Sequence, residues 1–134
     1  MSPILYVLTT NGLLFLLSII FWKFPSKKIN NLYGYRTVKA MQNEQIWDFS
    51  NSIFNKNLLI YSGISLLGSL LLASFTSKEL TWQPMLLVLL SVLVSVIKTE
   101  RGLSDKYTEE GERRKCRMVF YSKKHRLIKN KGIR

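Results

Sequence analysis

Residues 58–75 read LLIYSGISLLGSLLLASF, a stretch without a charged side chain. A helix rises about 1.5 Å per residue, so about 20 apolar residues cross the roughly 30 Å of hydrocarbon in a bilayer. Ser65, Ser69 and Ala73 recur every four residues and give this helix one narrow face of small side chains. In a bilayer such a face lets a neighbouring helix approach closely, although serines are also tolerated in a leucine-rich span without that role. The stretch is predicted to be a transmembrane helix.

Two further apolar stretches flank this one. Residues 4–22 read ILYVLTTNGLLFLLSIIFW and end at a tryptophan, which suits the aromatic belt of a membrane interface. The N-terminus lacks the basic region and cleavage site of a secretory signal, so this stretch is expected to remain in the mature protein. In residues 81–97, Pro84 lies in the predicted first turn, and only Ser91 and Ser95 are polar from Met85 onward.

These stretches predict an all-α membrane protein with three transmembrane helices, at about residues 4–22, 58–75 and 81–97. The third would also fit a buried helix of a soluble protein, but its two apolar neighbours favour a span. Residues 76–80 leave room only for a tight turn, so the second and third spans should form an antiparallel hairpin. Residues 1–97 are expected to be a membrane domain and residues 98–134 a basic cytoplasmic tail.

The charges are segregated from the apolar stretches. All 20 Lys and Arg and all 8 acidic residues lie outside the three predicted spans, and the net charge is +12. The loop 23–57 and the tail hold every Lys and Arg except Lys78. By the positive-inside rule, the loop and the C-terminus are predicted to be cytoplasmic and the N-terminus external.

The first loop carries the most distinctive residues. Tyr33 to Thr37 read YGYRT, a predicted turn in which Gly34 permits unusual backbone angles and Arg36 can stack on an aromatic ring. Thr37 is predicted to be the N-cap of a helix over residues 38–54, which leads into the second span. Asn43, Trp47 and Asn51 would then lie along one stripe of that helix. From the pattern alone, this loop either forms a binding ridge or folds back onto the helices, with its tyrosines and Trp47 as interface anchors.

In these residues the sequence resembles the SdpI/YfhL family of small bacterial membrane proteins. The matching positions are Pro25, Asn30, Tyr33, Gly34, Tyr35, Arg36, Thr37, Asn43, Trp47 and Asn51, and the resemblance covers about residues 21–97. It implies an immunity-type protein of the bacterial cytoplasmic membrane. The best-known member of the family protects a bacterium from its own secreted, membrane-acting peptide toxin, and it signals by drawing a transcriptional repressor to the membrane. Longer relatives carry an N-terminal multi-span unit that these residues do not contain, whereas this chain has a basic tail.

The resemblance predicts that the loop binds a peptide toxin or another membrane protein. Arg36 would be the central hydrogen-bond donor, and Gly34 would set the turn. The aromatic walls would come from Tyr33, Tyr35 and Trp47, and the amide hydrogen bonds from Asn30, Asn43 and Asn51, with Thr37 beside them. Two alternatives remain open: a structural or assembly subunit of a larger membrane complex, and a signalling protein that captures a repressor.

Catalysis is not expected. The lone histidine, His125, lies between two basic residues of the tail, and Cys116 has no partner near it in sequence. No acidic residue lies inside a predicted span, which disfavours proton or ion coupling. P-loop, HExxH and GxSxG motifs are absent, so no cofactor or metal is predicted.

The tail segment 113–126, RRKCRMVFYSKKHR, mixes aromatic and basic residues and could contact nucleic acid or lipid. Tethering beside the bilayer favours anionic lipid over nucleic acid. The basic residues predicted to face lipid are Arg113, Arg114, Lys115, Arg117, Lys123, Lys124 and Arg126.

Overall fold

The computed structural model describes residues 2–76 and 82–108, which form three helices. Helix α1 spans Pro3–Lys23, α2 spans Glu44–Phe75 and α3 spans Gln83–Lys106. Helix α2 packs against both of the others, whereas α1 and α3 touch each other much less. The loop between α1 and α2 folds onto α2 and α3 at the end of the bundle where α1 stops. The predicted basic residues of segment 113–126 and the predicted turn at Lys78 lie outside the described residues.

The start of α2 corrects one prediction. Asn43, not Thr37, caps this helix: its side-chain oxygen accepts a hydrogen bond from the Ile46 amide at 2.9 Å. Asparagine is a stronger N-cap than threonine, and Glu44 adds a negative charge to the first turn, where the helix dipole favours it. The predicted helix at residues 38–43 is therefore wrong. Thr37 instead closes a single turn by accepting from the Ala40 amide at 3.3 Å.

Two other boundaries differ from the expectation. Helix α2 runs without a break to Phe75, so the loop helix and the second apolar stretch are one helix of 32 residues. Helix α3 continues past Ile97 and ends at Lys106, so the first part of the predicted tail is helical. The folded loop contacts this extension through the hydrogen bonds from Tyr35 to Glu100 and from Lys39 to Ser104.

Burial is inverted relative to a soluble protein. Small hydroxyl side chains fill the interior between the helices, and Ser18, Ser62, Ser69, Ser95 and Thr99 are fully buried. Large apolar side chains point outward from all three helices, for example Leu16, Leu67 and Leu93. Helices α1 and α2 are each long and apolar enough to cross a membrane. In lipid, helices associate through close packing of small residues, so this arrangement indicates a membrane protein.

The predicted face of small residues is confirmed. Ser65, Ser69 and Ala73 of α2 are all buried, as are Ser91 and Ser95 of α3. Two pairs join α1 to α2 at depth: Ser65 donates to the Asn11 side-chain oxygen at 2.6 Å, and the Ser18 and Ser62 hydroxyls are 2.9 Å apart. The Asn11 amide also donates to the Pro84 carbonyl of α3 at 3.4 Å. Asn11 therefore connects all three helices.

Candidate functional site

Trp47 anchors the loop to the helices. Its side chain is fully buried, and its indole N–H donates to the Ser26 carbonyl at 3.0 Å. A buried tryptophan needs a partner for its single polar atom, and here that partner lies 21 residues earlier in the chain, just after α1. This hydrogen bond holds the beginning of the loop against the N-terminal part of α2.

Gly34 lets the loop pass close to α2. Its φ of 119° lies in the region that only glycine adopts without strain. A Cβ at this position would stand 2.7 Å from the Asn51 side-chain oxygen and 3.1 Å from the Trp47 ring. That same oxygen accepts from the Tyr35 amide at 2.7 Å, while the Asn51 amide donates to the Trp47 carbonyl at 2.9 Å. Buried Tyr35, Trp47 and Asn51 and the half-buried Gly34 form one unit, called the loop lock below.

Tyr35 extends the lock to α3. Its hydroxyl donates to the Glu100 carboxylate at 2.6 Å, and its ring lies 4.8 Å from that of Phe54. Burial, followed by the hydrogen bond and charge of Glu100, raises the pKa of Tyr35 far above its ordinary value, so the phenol stays protonated. A second, longer contact joins Lys39 to Ser104 at 3.4 Å. The loop is thus fastened to both α2 and α3.

The remaining two asparagines serve the loop backbone. The Asn30 side-chain oxygen accepts from the amides of Leu32 and Tyr33 at 2.9 and 3.1 Å, and its amide donates to the Lys28 carbonyl and the Ser26 hydroxyl. Asn43 caps α2. Both side chains therefore use their hydrogen bonds to stabilise the local backbone, as asparagine commonly does in turns.

The outer side of the loop is exposed. Leu32 and Val38 are each 89% exposed, and Tyr33 is half-exposed while its ring stacks on Phe21 at 6.2 Å. Arg36 points outward, and its guanidinium donates to the Asn31 carbonyl at 2.9 Å. Leu32, Tyr33, Arg36 and Val38 are called the loop tip below. A surface of apolar, aromatic and cationic groups has the composition of a protein-binding surface.

The structure separates the nine predicted binding residues into an interior group, an exposed group and two residues at the edge of the site. It brings Tyr35, Trp47 and Asn51 together in the interior with Gly34 half-buried beside them, and the interpretation as interface anchors fits Tyr35 and Trp47. It leaves Tyr33 and Arg36 on the surface, with Thr37 half-buried. Of the three predicted aromatic walls, only Tyr33 is accessible to a partner. Asn30 and Asn43 lie at the edge of the site, engaged in the loop turn and the helix cap.

Three contributors to the lock escaped the sequence pattern: Ser26, Phe54 and Glu100. Ser26 acts through its backbone carbonyl, which no side-chain motif reveals. Glu100 lies 65 residues from its partner Tyr35. A signal did exist for Asn55, which continues the four-residue spacing of Asn43, Trp47 and Asn51. It donates to the Phe21 carbonyl at 2.9 Å.

Within residues 2–76 and 82–108, no group of His, Cys, Asp and Glu is arranged to hold a metal ion.

Comparison with known proteins agrees with the sequence resemblance. The profile described as the SdpI/YfhL protein family matches residues 27–99, a range that contains most of the loop, α2 and most of α3. An uncharacterised protein, YfhL of Bacillus subtilis (strain 168), is 32% identical over 97 residues, which cover 72% of this chain and 84% of that protein. No solved structure matches.

Proposed function

The chain belongs to the SdpI/YfhL protein family, and from that membership we propose that it is an immunity-type membrane protein. It would confer resistance to a membrane-acting peptide toxin by binding and not by catalysis. The observation that carries the proposal is the division of the loop. Its inner side is fixed to two helices by the lock, and its outer side presents an unburied arginine among apolar groups.

The proposed placement puts all three helices across the bacterial cytoplasmic membrane. Support for α3 as the third span comes from its outward side, where Met85, Leu86, Leu89, Leu90, Leu93 and Ile97 are each about half-exposed. In water such a face would be a large uncovered apolar surface, whereas lipid covers it. The basic loop and tail would be cytoplasmic, the N-terminus external, and the tail residues in contact with anionic lipid.

A cysteine-labelling experiment tests this topology. In a chain with Cys116→Ser, the exposed loop-tip residue is replaced as Val38→Cys, and a membrane-impermeant maleimide is applied to intact cells. The label should react only after the cells are permeabilised. Reaction in intact cells would contradict the cytoplasmic placement of the loop.

The binding role places Arg36 at the centre of the contact with the toxin or partner. Its hydrogen bond to Asn31 uses one of five guanidinium donors, and no other described residue occupies the rest. An arginine beside apolar side chains is typical of residues that dominate protein interfaces. Because the lock holds the backbone of this segment, little further ordering is needed when a partner binds.

The test uses a bacterial strain sensitive to a secreted, membrane-acting peptide toxin. Expression of the chain should raise the toxin concentration that the strain survives. Arg36→Ala should lower that concentration by about tenfold or more, since truncating a dominant interface arginine costs about 2 kcal/mol. Lys27→Ala, at another exposed basic position of the loop, is the matched control and should preserve resistance at equal protein level.

The same strains separate the alternatives. Stable co-purification with a single membrane protein, without any protection, would support an assembly subunit instead. Movement of a soluble DNA-binding protein to the membrane fraction when the chain is present would support repressor capture.

A further inference from the structure

A cavity of about 230 Å³ lies where the end of α1 meets the first part of α2, beside the loop but outside the loop lock. Its lining combines aromatic, acidic, hydroxyl, amide and basic side chains: Trp22, Pro25, Asp48, Ser52, Asn55 and Lys56. None of these residues belongs to the loop tip to which we assign the partner contact. The cavity therefore represents a separate feature of the molecule.

Three of the lining residues form a stripe of unpaired polar groups. Asp48, Ser52 and Lys56 recur every four residues on α2, so they line up on one side of the helix. All three are exposed. In the part of the chain that the structure describes, Asp48 and Lys56 form no ion pair with each other or with any neighbour, although both face one cavity. Two opposite charges that share a cavity without pairing can hold a ligand that carries both signs.

One hydrogen bond shows how the lining residues of α2 are aligned with those of α1 along the helix axes. Asn55 donates to the Phe21 carbonyl at 2.9 Å, which places Lys56 level with Trp22. Lys56 is the last charged residue before the apolar stretch 58–75, and Trp22 is the last residue of the first one. Both therefore stand at the edge of the hydrocarbon. Asp48 lies eight residues earlier, about 12 Å farther out along the helix axis.

We propose that this cavity binds the headgroup of a phospholipid that carries phosphoethanolamine. In such a lipid the phosphate is next to the glycerol, and the ammonium is at the outer end. The order of charges on α2 matches this: Lys56 at the hydrocarbon edge meets the phosphate, and Asp48 farther out accepts hydrogen bonds from the ammonium. The Lys56 stem is flexible enough to bend toward the polar side and so shorten the gap to Asp48. Trp22 lies against the glycerol region, as tryptophan does at membrane interfaces.

The charge pattern selects this headgroup over an anionic one. Phosphatidylglycerol would leave the Asp48 carboxylate opposite neutral hydroxyls and close to a phosphate, so it would gain less from the site. The proposal depends on insertion in a bilayer but not on toxin resistance. Its failure therefore leaves the immunity test unaffected, and loss of resistance in Arg36→Ala says nothing about this cavity.

The experiment uses the full chain in nanodiscs that contain equal amounts of phosphatidylethanolamine and phosphatidylglycerol. After transfer to detergent, native mass spectrometry counts the lipids that remain bound. We expect phosphatidylethanolamine to be retained about three- to fivefold over phosphatidylglycerol, the ratio given by one exposed charge-assisted contact. Asp48→Asn should abolish this preference while lipid is still retained, whereas Lys56→Gln should reduce retention of both lipids.

Glu44→Gln and Lys27→Gln are the matched controls, because they remove an acid from the same helix and an exposed base from the neighbouring loop without touching the cavity. Both should behave as the wild type. Equal retention of the two lipids by the wild type, or an unchanged preference in Asp48→Asn, would overturn the proposal. Soluble phosphoethanolamine at millimolar concentration should leave the lipid bound. Displacement of the lipid would assign the cavity to a soluble headgroup compound and would also overturn it.

Discussion

The loop lock and the interior of the helix bundle are two buried regions of one chain, and they are filled by opposite kinds of side chain. The lock is built around large aromatic groups, Trp47 and Tyr35, with polar atoms that bond to distant backbone and side-chain groups. The bundle interior holds Asn11 and small hydroxyl residues such as Ser18 and Ser62, which meet across helices. Both regions bury polar atoms, but only the lock buries a large apolar surface.

The difference follows from the solvent on the outside. Outside the bilayer, removal of aromatic surface from water drives folding, so the loop gains stability by burying its rings. In hydrocarbon, a leucine gains nothing by leaving lipid for the protein interior, and association depends on close approach and interhelical hydrogen bonds. The boundary between the two regimes lies near Asn55 on α2, where the polar segment of the helix meets the apolar one. The comparison predicts large mutational effects where the lock loses buried ring surface or close packing, and smaller ones where either region loses only hydrogen bonds.

The largest effect should come from Trp47→Ala. It removes a fully buried indole and leaves the Ser26 carbonyl without its donor, so the free energy of unfolding should fall by about 3 to 5 kcal/mol. Unfolding by SDS titration in mixed micelles measures this. Trp22→Ala is the control, because Trp22 is 57% exposed and should change stability by less than about 1 kcal/mol. Equal losses in the two variants would show that the lock is not a buried core.

Gly34→Ala should have the next largest effect. The added Cβ meets the Asn51 oxygen at 2.7 Å, and alanine at a φ of 119° is strained, so a loss of about 2 to 3 kcal/mol is expected. The loop should also become sensitive to a protease that cuts after exposed basic residues such as Arg36. Gly12→Ala provides the control: nothing lies within 4 Å of its added Cβ, and alanine favours the helix. A protease-resistant Gly34→Ala variant would argue that the close approach to α2 can be relaxed.

The sequence predicted the two regions unequally. Apolar stretches without charge predicted α1 and α2, the helices that are long and apolar enough to cross a membrane, and the four-residue spacing of Ser65, Ser69 and Ala73 was sufficient to identify the buried face of α2. Residue spacing alone predicts the buried face of α2 because the outward positions of the apolar segment all face the same solvent, lipid. The predicted N-cap at Thr37 was wrong because several residues of the loop can cap a helix, and Asn43, a stronger N-cap that is followed by Glu44, begins α2 instead.

The candidate site was predicted as a set of residues but not as an arrangement. The motif singled out Gly34, Tyr35, Trp47 and Asn51, yet which of them are buried depends on partners such as Glu100 that lie far away in sequence. A Tyr, Trp and Asn pattern fits a binding ridge and a buried clamp equally well. Only the three-dimensional contacts separate the lock from the loop tip.

Asn11→Leu tests the bundle side of the comparison. This change removes the hydrogen bonds to Ser65 and to the Pro84 carbonyl, and we expect a loss of about 1.5 kcal/mol, near the upper end for interhelical hydrogen bonds in lipid. Thr9→Val is the control, because the exposed Thr9 hydroxyl bonds only to its own helix at Tyr6. A loss as large as that of Trp47→Ala would mean that polar contacts, and not ring burial, dominate in both regions.

The smallest effect should come from Tyr35→Phe, and the pH dependence of the free energy of unfolding distinguishes this variant from the others. The half-buried Glu100 can regain hydrogen bonds from water, so the loss near neutral pH should be about 1 kcal/mol.

Because folding raises the pKa of Tyr35, the unfolded chain releases this proton at a lower pH than the folded one does. The wild type should therefore keep its full stability below about pH 10 and lose stability progressively above it. Tyr35→Phe lacks the proton and should lose less over the same range, so the two unfolding curves should converge as the pH rises from about 10 to 11. Tyr33→Phe, at a half-exposed ring of the loop tip, should follow the wild type throughout. Parallel curves for wild type and Tyr35→Phe would show that the phenol is not buried against α3, and the link between loop and third helix would then rest on the Lys39–Ser104 hydrogen bond and the packing of Ala40 in one cluster with Leu103.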